Sequence, residues 1–371
     1  MLNPARMKFV FASYLFIKEY SSPETWIDRI KAYTGILEAL ARNNQVISTE
    51  QIDYEGEYVK DGVQYYFKRF NRPGTLFPRD LHGFIKSQKP DVVVIQSLHY
   101  PLQVIQLRLR LGRKTKIIIH NHAEKPFRGI KKHLQKIADI CTDAYLFASH
   151  DMGAEWVETG NLASTQKIHE VMEVSSVFSP MDKAVAKHRT GASDGFIFLW
   201  VGRLNENKDP LTVVKAFLQF AVSQPSAHLY MIYHTEELLA EVQQLLDKST
   251  HKNAVILIGK VPHIELQYWY NSADIILSGS HYEGSGTAVC EAMSCGCMPV
   301  VTDIFSFRMI TDNGRCGLLY EAGDEAGLLA VLRQTQQMDI REKQKLSLDY
   351  FRSNLSFEAI ACRIQEIAAS L

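Results

Sequence analysis

The sequence predicts an α/β protein made of two Rossmann-like, doubly wound parallel-sheet domains facing a central cleft, and three observations carry that expectation. The chain of 371 residues is too long for one ordinary core and short for three. Short β-branched runs alternate with helical periodicity through both halves, the pattern of repeated βα units. Between the two series, residues 179–195 are polar, turn-rich and without periodicity, as expected of a linker.

In the first domain, residues 1–178, strands are expected at Lys8–Ser13, Gln45–Ser48, Gln64–Lys68, Asp91–Ser97, Lys116–His120 and Ala144–Ala148. Helical stretches fall at Trp26–Arg42 and Phe127–Cys141. The latter spaces Phe127, Ile130, Leu134, Ile137, Ala138 and Cys141 at steps of three and four, as a helix does when it turns an apolar face to a core. The second domain, residues 196–355, opens with Phe196–Val201 and continues through Leu229–Tyr233, Ala254–Ile258, Ala273–Leu277, Pro299–Thr302 and Gly317–Tyr320. An amphipathic helix over residues 356–371 closes the chain. In such sheets ligands bind beyond the carboxyl ends of the strands, so the loops there hold the chemistry.

Composition narrows the classes. Hydrophobic residues at 46% and charged residues at 22% describe a chain with a core to bury, which excludes disordered and collagenous classes. Basic and acidic residues balance at 41 each, which argues against a nucleic-acid binder and makes any electrostatic function local. Residues 1–178 hold 24 basic against 19 acidic side chains, and the excess is concentrated. Arg108, Arg110, Arg113, Lys114, Lys116, Lys125, Arg128, Lys131, Lys132 and Lys136 face only Glu124 across residues 108–136. An anionic membrane surface attracts such a cluster; the plainer expectation is a solvated face. Met1–Val10 lacks the apolar core and cleavage site of a leader, and no run approaches the ~18 apolar residues of a membrane span. The six cysteines contain no C-x-x-C pair, which points to reduced thiols in a cytoplasmic chain. Cys290, Cys295 and Cys297 fit no zinc spacing and read as packing, so no metal site is expected.

Chemistry concentrates in Ser280–Val301, which runs from a strand end through a glycine loop into a helix. Gly284 and Gly286 allow close backbone approach, and Ser285, Gly286 and Thr287 expose the amides of a helix N-terminus, which attract phosphate. Glu283 precedes that helix and Glu291 lies eight positions on, two carboxylates suited to chelating sugar hydroxyls. Acids beside a phosphate site require cations elsewhere. The segment Phe198–Pro210 supplies them, with Gly202-Arg203 at a strand end and Lys208 at the next helix entrance, a planar fork and a point charge for a diphosphate. Taken singly, Arg203 and Lys208 read more readily as solvated loop charges and Glu291 as a helix-surface acid. Their joint spacing favours the site.

These residues resemble glycosyltransferase family 4, the retaining group 1 glycosyl transferases of GT-B fold. The likeness rests on the E-x7-E pattern of Glu283 and Glu291, followed by Ala292-Met293, Gly296 and Pro299-Val300, and on Val-Gly-Arg-Leu with its following lysine, matched by Gly202, Arg203 and Lys208. The resemblance implies that Arg203 and Lys208 hold the donor diphosphate and that Glu283 touches the transferred sugar. It likewise implies that Glu291 binds the ribose and that the amides of Ser285, Gly286 and Thr287 meet the phosphate or sugar edge. It further implies a histidine near that sugar, for which His120 and His122 both remain open, and a final helix returning to the first domain. The implied co-substrate is a nucleotide-diphosphate sugar, with no metal or other cofactor required. The implied acceptor is a glycan or a lipid-linked molecule, at the inner membrane face or in the cytoplasm, in surface polysaccharide or glycoconjugate synthesis. Two departures stand out: no glycine lies between Ala12 and Glu24 after the first strand, and Met231–Glu236 lacks a glycine-rich turn. Two rivals follow from the same residues. A nicotinamide oxidoreductase would use Gly284 and Gly286, but its fingerprint belongs after a domain's first strand with an acid ~20 residues later. A binding-only relative would keep the fold without turnover.

Overall fold

The computed structural model describes residues 6–69 and 76–371. Residues 1–5, on which half of the reading of Met1–Val10 falls, lie outside them. The chain divides into two compact units, Met1–Ser175 with Phe357–Leu371, and Ser176–Ser356.

The first unit holds an eight-stranded sheet built from β1 (Lys8–Ala12), β2 (Gln45–Glu50), β3 (Gly56–Lys60), β4 (Val63–Phe67), β5 (Val92–Gln96), β6 (Lys116–His120), β7 (Ala144–Phe147) and β8 (Ile168–Glu170). Its order is β3-β4-β2-β1-β5-β6-β7-β8. Central β5 is the run Val92-Val-Val-Ile95, buried throughout, as a parallel strand covered on both faces must be. Among the described residues, only β3 runs antiparallel to its neighbour, through a two-residue turn at Asp61-Gly62 in which both residues have positive φ. That geometry matches the twist of a hairpin, and an Asp-Gly pair adopts it at low cost. Neither β3 nor the three-residue β8 is marked by hydrophobic periodicity. The stretch Trp26–Arg42 forms two helices, Pro23–Arg29 and Lys31–Ala41, broken at Ile30. The last helix, Phe357–Ser370, packs on Lys31–Ala41. Contact there is close at Gly35, where a Cβ would lie 2.6 Å from the Phe357 ring.

One expected helix is rotated about its axis, with Ala138 of its expected face buried and Leu134 and Cys141 half-buried. Gly129–Cys141 buries Gln135, Ala138 and Asp139, while Ile130, Ile137 and Ile140 are 82%, 50% and 65% exposed. The inward polar residues have partners that fix this rotation. Lys167 and the Ala163 amide reach the Asp139 carboxylate at 3.2 and 3.1 Å, and Gln135 donates to the Tyr145 hydroxyl at 3.3 Å. Polar groups tied in this way hold their face of the helix inward even though Ile130, Ile137 and Ile140 are then left outside.

The second unit carries β9 (Phe196–Gly202), β10 (Ala227–Tyr233), β11 (Val255–Gly259), β12 (Ile275–Ser278), β13 (Met298–Thr302) and β14 (Leu318–Tyr320) in the all-parallel order β11-β10-β9-β12-β13-β14. This is the Rossmann order, which reverses between its first and fourth strands. Here the reversal sets the carboxyl ends of β9 and β12 side by side. Phe198, Phe217 and Phe220 pack edge to face beneath them with ring centroids 5.2 and 5.5 Å apart, and Trp200 is buried beside them. Residues 179–195 belong to this unit and include the helix Lys183–Thr190, capped by Asp182, whose carboxylate accepts from the Ala184 and Val185 amides. Only Ala186 of that helix is buried, so the sequence carries no periodic signal for it.

Candidate active site

The loops that follow β9 and β12 meet at the reversal of strand order. After β9 the chain makes a tight turn over Glu206–Lys208. The Asn205 side chain accepts from the Lys208 amide at 3.1 Å, and Asp209, at φ 41°, caps the helix Pro210–Ser223 through the Thr212 amide. After β12, Gly279 passes so close that a Cβ would lie 3.0 Å from the Asp209 carbonyl and 3.2 Å from that of Lys208. Asn207 donates to the Tyr282 carbonyl at 3.0 Å and accepts the His281 amide on its own carbonyl at 2.8 Å. Thr302 at the end of β13 anchors the Ser280 carbonyl at 2.6 Å, and Tyr320 at the end of β14 anchors that of Ser278 at 3.0 Å.

This lacing brings together side chains 75 positions apart. Lys208 forms an ion pair with Glu283, whose same oxygen accepts from the Ser280 hydroxyl at 2.6 Å. Arg203, Lys208, Glu283 and Thr287 line one cavity of about 400 Å³ together with Gly202. Behind Thr287, Ser285 and Gly286 are buried, and Gly286 takes φ 57° as the cap of the helix Thr287–Ser294. No side chain of that cap bonds the first amides of the helix. A Cβ on Gly286 would lie 2.6 Å from the Phe307 ring, so both space and conformation demand glycine there.

Glu291 is placed differently from its partners. It is 4% exposed, not a helix-surface acid, and both of its oxygens are engaged, by His263 Nε2 at 2.7 Å and the Tyr270 hydroxyl at 2.9 Å. The residue of this group that lines the cavity is His263, whose ring also packs tilted against Phe178 with centroids 5.0 Å apart. Lys260, just beyond the positive-φ Gly259 that ends β11, lines the cavity as a third cation. Lys260, His263 and Tyr270 were missed by reasoning from sequence. A glycine-ended strand followed by a basic residue is the only local signal for Lys260, and none marks the other two.

In the first unit, His120 ends β6 buried at 1% exposure, with a bond to the Val171 backbone and its Nε2 unpartnered. Burial, with His122 nearby, pushes its pKa down to about 3, so it is neutral. His122 lies in a turn closed by the Ala123 amide on the Asn121 side chain, with Ala123 at φ 66°. Its Nδ1 contacts Glu173 at 2.6 Å, its Nε2 contacts Gln96 at 2.7 Å, and its side chain is 34% exposed. Burial pulls its pKa down, but the Glu173 bond and charge, helped by Glu124, outweigh that and raise it. His99 lies apart from this pair, with its ring on Phe127 and its Nδ1 3.2 Å from Lys131.

Cys290, Cys295 and Cys297 are buried free thiols whose pKa values burial pushes up. Among the described residues, no group of His, Cys, Asp or Glu is placed to hold a metal ion. None of the described helices is long and apolar enough to cross a membrane.

Comparison with known proteins bears on the same region. The family described as glycosyl transferases group 1 matches residues 182–345. The chain is similar to a D-inositol 3-phosphate glycosyltransferase of Thermobispora bispora, 25% identical over 65% of this chain and 56% of that one. It thus spans just over half the length of that relative, and 38% of its counterpart from Streptosporangium roseum. In fold it is similar to a glycosyltransferase from Rickettsia africae, at a TM-score of 0.75 and 14% identity over 99% of this chain and 98% of that one. It is likewise similar to Anabaena HepE solved with UDP and glucose, at a TM-score of 0.67 and 14% identity over 99% and 100%. At such identities the structural likeness shows the fold, two Rossmann-like parallel-sheet units of the GT-B class. Residues 182–345, nearly the whole of the second unit, thus match the glycosyl transferases group 1 family, and the fold is shared with solved glycosyltransferases.

Proposed function

We propose that the protein is a retaining glycosyltransferase of family 4 that moves a sugar from a nucleotide-diphosphate sugar to a hydroxyl of a glycan or lipid-linked acceptor, in surface polysaccharide or glycoconjugate synthesis. The observation that carries this reading is the convergence of Arg203, Lys208, Glu283 and Thr287 on one cavity at the strand-order reversal. Arg203 and Lys208 meet the diphosphate, with Lys260 as a further cation beside the cavity. The amides from Ser285 to Thr287 add the positive end of a helix, which favours an anion. Glu283 takes the sugar hydroxyls once the donor draws Lys208 away from it. Glu291 serves the ribose side, its carboxylate held in place by Tyr270 and presented to the cavity through His263.

In the reaction the bond from the anomeric carbon to the diphosphate oxygen breaks, and the acceptor oxygen bonds to that carbon as its proton passes to the departing diphosphate. Charge grows on the departing diphosphate, where fixed cations and amides stabilise it more than in the ground state. These groups suffice without a metal or other cofactor. His122, accessible and held by Glu173 and Gln96, suits the transferred sugar better than buried, neutral His120. Residues 1–178 supply the acceptor domain and 196–355 the donor domain of this reading, with the protein working in the cytoplasm. The UDP and glucose of the HepE structure support a nucleotide-sugar donor.

The test is a panel of nucleotide sugars scored by melting shift and nucleotide release. A melting shift with one nucleotide sugar, and release that grows with an added acceptor, is expected. A shift with NAD alone would favour the oxidoreductase, and binding without transfer to any acceptor a relative that has lost turnover.

A further inference from the structure

Lys208 and Glu283 belong to different loops, and the side chain of Asp209 reaches from one loop to the other. Asp209 follows Lys208 directly and takes φ 41° and ψ 58°, the left-handed region. Glycine occupies that region without cost, whereas an L residue pays a penalty that a short polar side chain only reduces. Glycine at a helix N-cap also costs little. What the backbone requires at position 209 is therefore met by glycine, and the carboxylate answers to something else.

Both of its oxygens are placed. Oδ1 accepts from the Thr212 amide at 3.2 Å in the first turn of Pro210–Ser223, and Oδ2 lies 3.4 Å from Nε2 of His281 in the loop after β12. The Asp209 side chain is 15% exposed and that of His281 about half exposed. His281 stands two positions before Glu283, and its own amide is held on the Asn207 carbonyl. Beyond β14, Gly323 lies against the same imidazole, where a Cβ would be 3.5 Å from Cε1. Tyr320 faces Asp209 as well, and the carboxylate charge adds to burial in raising the pKa of that hydroxyl. The Lys208 stem runs over Gly202, its Cγ 3.6 Å from where a Cβ on that glycine would stand. With the stem there, the place of the ammonium follows the peptides on either side, held by Asn205 before and by Asp209 after.

We propose that Asp209 is a positioning residue for the donor diphosphate: by bridging the Thr212 amide and His281 it holds the loop of Lys208 against the loop of Glu283 and keeps the ammonium where the diphosphate is met. This rests on the reading in which Lys208 meets that diphosphate. Asp209 does not itself line the cavity, and its negative charge opposes an anion bound nearby. Its contacts therefore have to return more affinity than its charge removes. The two effects are separable. A change that removes the charge but keeps the shape leaves binding intact, and one that keeps the backbone but removes the contacts weakens it.

The test is calorimetric titration of UDP into the full chain and its variants at one ionic strength. Asp209→Gly accepts the left-handed backbone, so it should shift the melting temperature by no more than about 2 °C, yet weaken UDP about five- to tenfold. Asp209→Asn keeps an acceptor for Thr212 and a polar end towards His281, and should bind UDP within about twofold of the wild type or more tightly. His281→Ala should weaken UDP roughly threefold. In a Lys208→Met background Asp209→Gly should have no further effect on UDP, because the group it positions is gone. Wild-type affinity in Asp209→Gly or in His281→Ala overturns the proposal, and so does a loss in Asp209→Asn equal to that of the glycine variant. A loss that persists undiminished beside Lys208→Met marks a general loosening of the loop and overturns it too. If Lys208→Met binds UDP as the wild type does, the diphosphate reading itself fails and takes this role of Asp209 with it.

Discussion

Replacing Glu283 by Gln should make the protein bind a nucleoside diphosphate more tightly while making it a poorer transferase. In the structure Lys208 is engaged with Glu283, and their side chains are 24% and 14% exposed. A diphosphate entering the cavity has to share or take that ammonium. Glutamine keeps the shape and the Ser280 bond but removes the competing charge. A partly exposed pair of this kind is worth about 1 kcal/mol, so UDP should bind about fivefold more tightly to Glu283→Gln. With UDP-glucose the gain should shrink or reverse, because the carboxylate that would hold sugar hydroxyls is gone, and turnover should fall. Lys208→Met moves the other way and loses a charge-assisted contact of about 1.5–3 kcal/mol, roughly 10- to 150-fold in UDP affinity. Calorimetric titration of the three proteins at one ionic strength reads all of this. Equal or weaker UDP binding by Glu283→Gln would refute the competition between carboxylate and diphosphate, and with it the roles given to both residues.

Other expectations rest on separate features. Gly286→Ala must place a Cβ at φ 57° and 2.6 Å from Phe307, and should cost about 2–4 kcal/mol in urea unfolding and weaken UDP binding. Tyr270→Phe leaves one oxygen of buried Glu291 without its partner, and should lower stability by about 1–3 kcal/mol, measured as the shift in urea midpoint. His120 has a folded pKa of about 3 against an ordinary value of 6.5, so between those values the unfolded chain takes up a proton that the folded chain does not. Its contribution is therefore intact above pH 6.5 and lost as pH falls towards 3, about 2–3 kcal/mol by pH 4.5. His120→Asn should flatten that part of the stability profile, and an unchanged acid slope would show that His120 does not titrate as argued.

The hydrophobic runs of both sheets were legible in the sequence because parallel strands buried on both faces must be apolar along their length, as Val92–Ile95 and Ile117–Ile119 are. The Glu283 to Glu291 spacing and the Gly202-Arg203 and Lys208 segment were legible for a similar reason. A strand end, a glycine turn and a helix start are local arrangements that local residues dictate. The antiparallel β3 escaped because its residues alternate between half-buried and exposed without a strong apolar face, leaving only its Asp-Gly turn as a sign.

What the chain's own order of residues determined is therefore the succession of βα units and the residue types offered at each strand's carboxyl end. Tertiary structure decided which of those loops meet. The reversal of strand order beside β9 sets Lys208 against Glu283, and the helices behind β11 set His263 and Tyr270 on Glu291. It decided equally which face of Gly129–Cys141 turns inward. Apolar spacing reports only that a helix has a face, whereas the partners of Gln135 and Asp139, ten to twenty-eight positions away, settle where that face points.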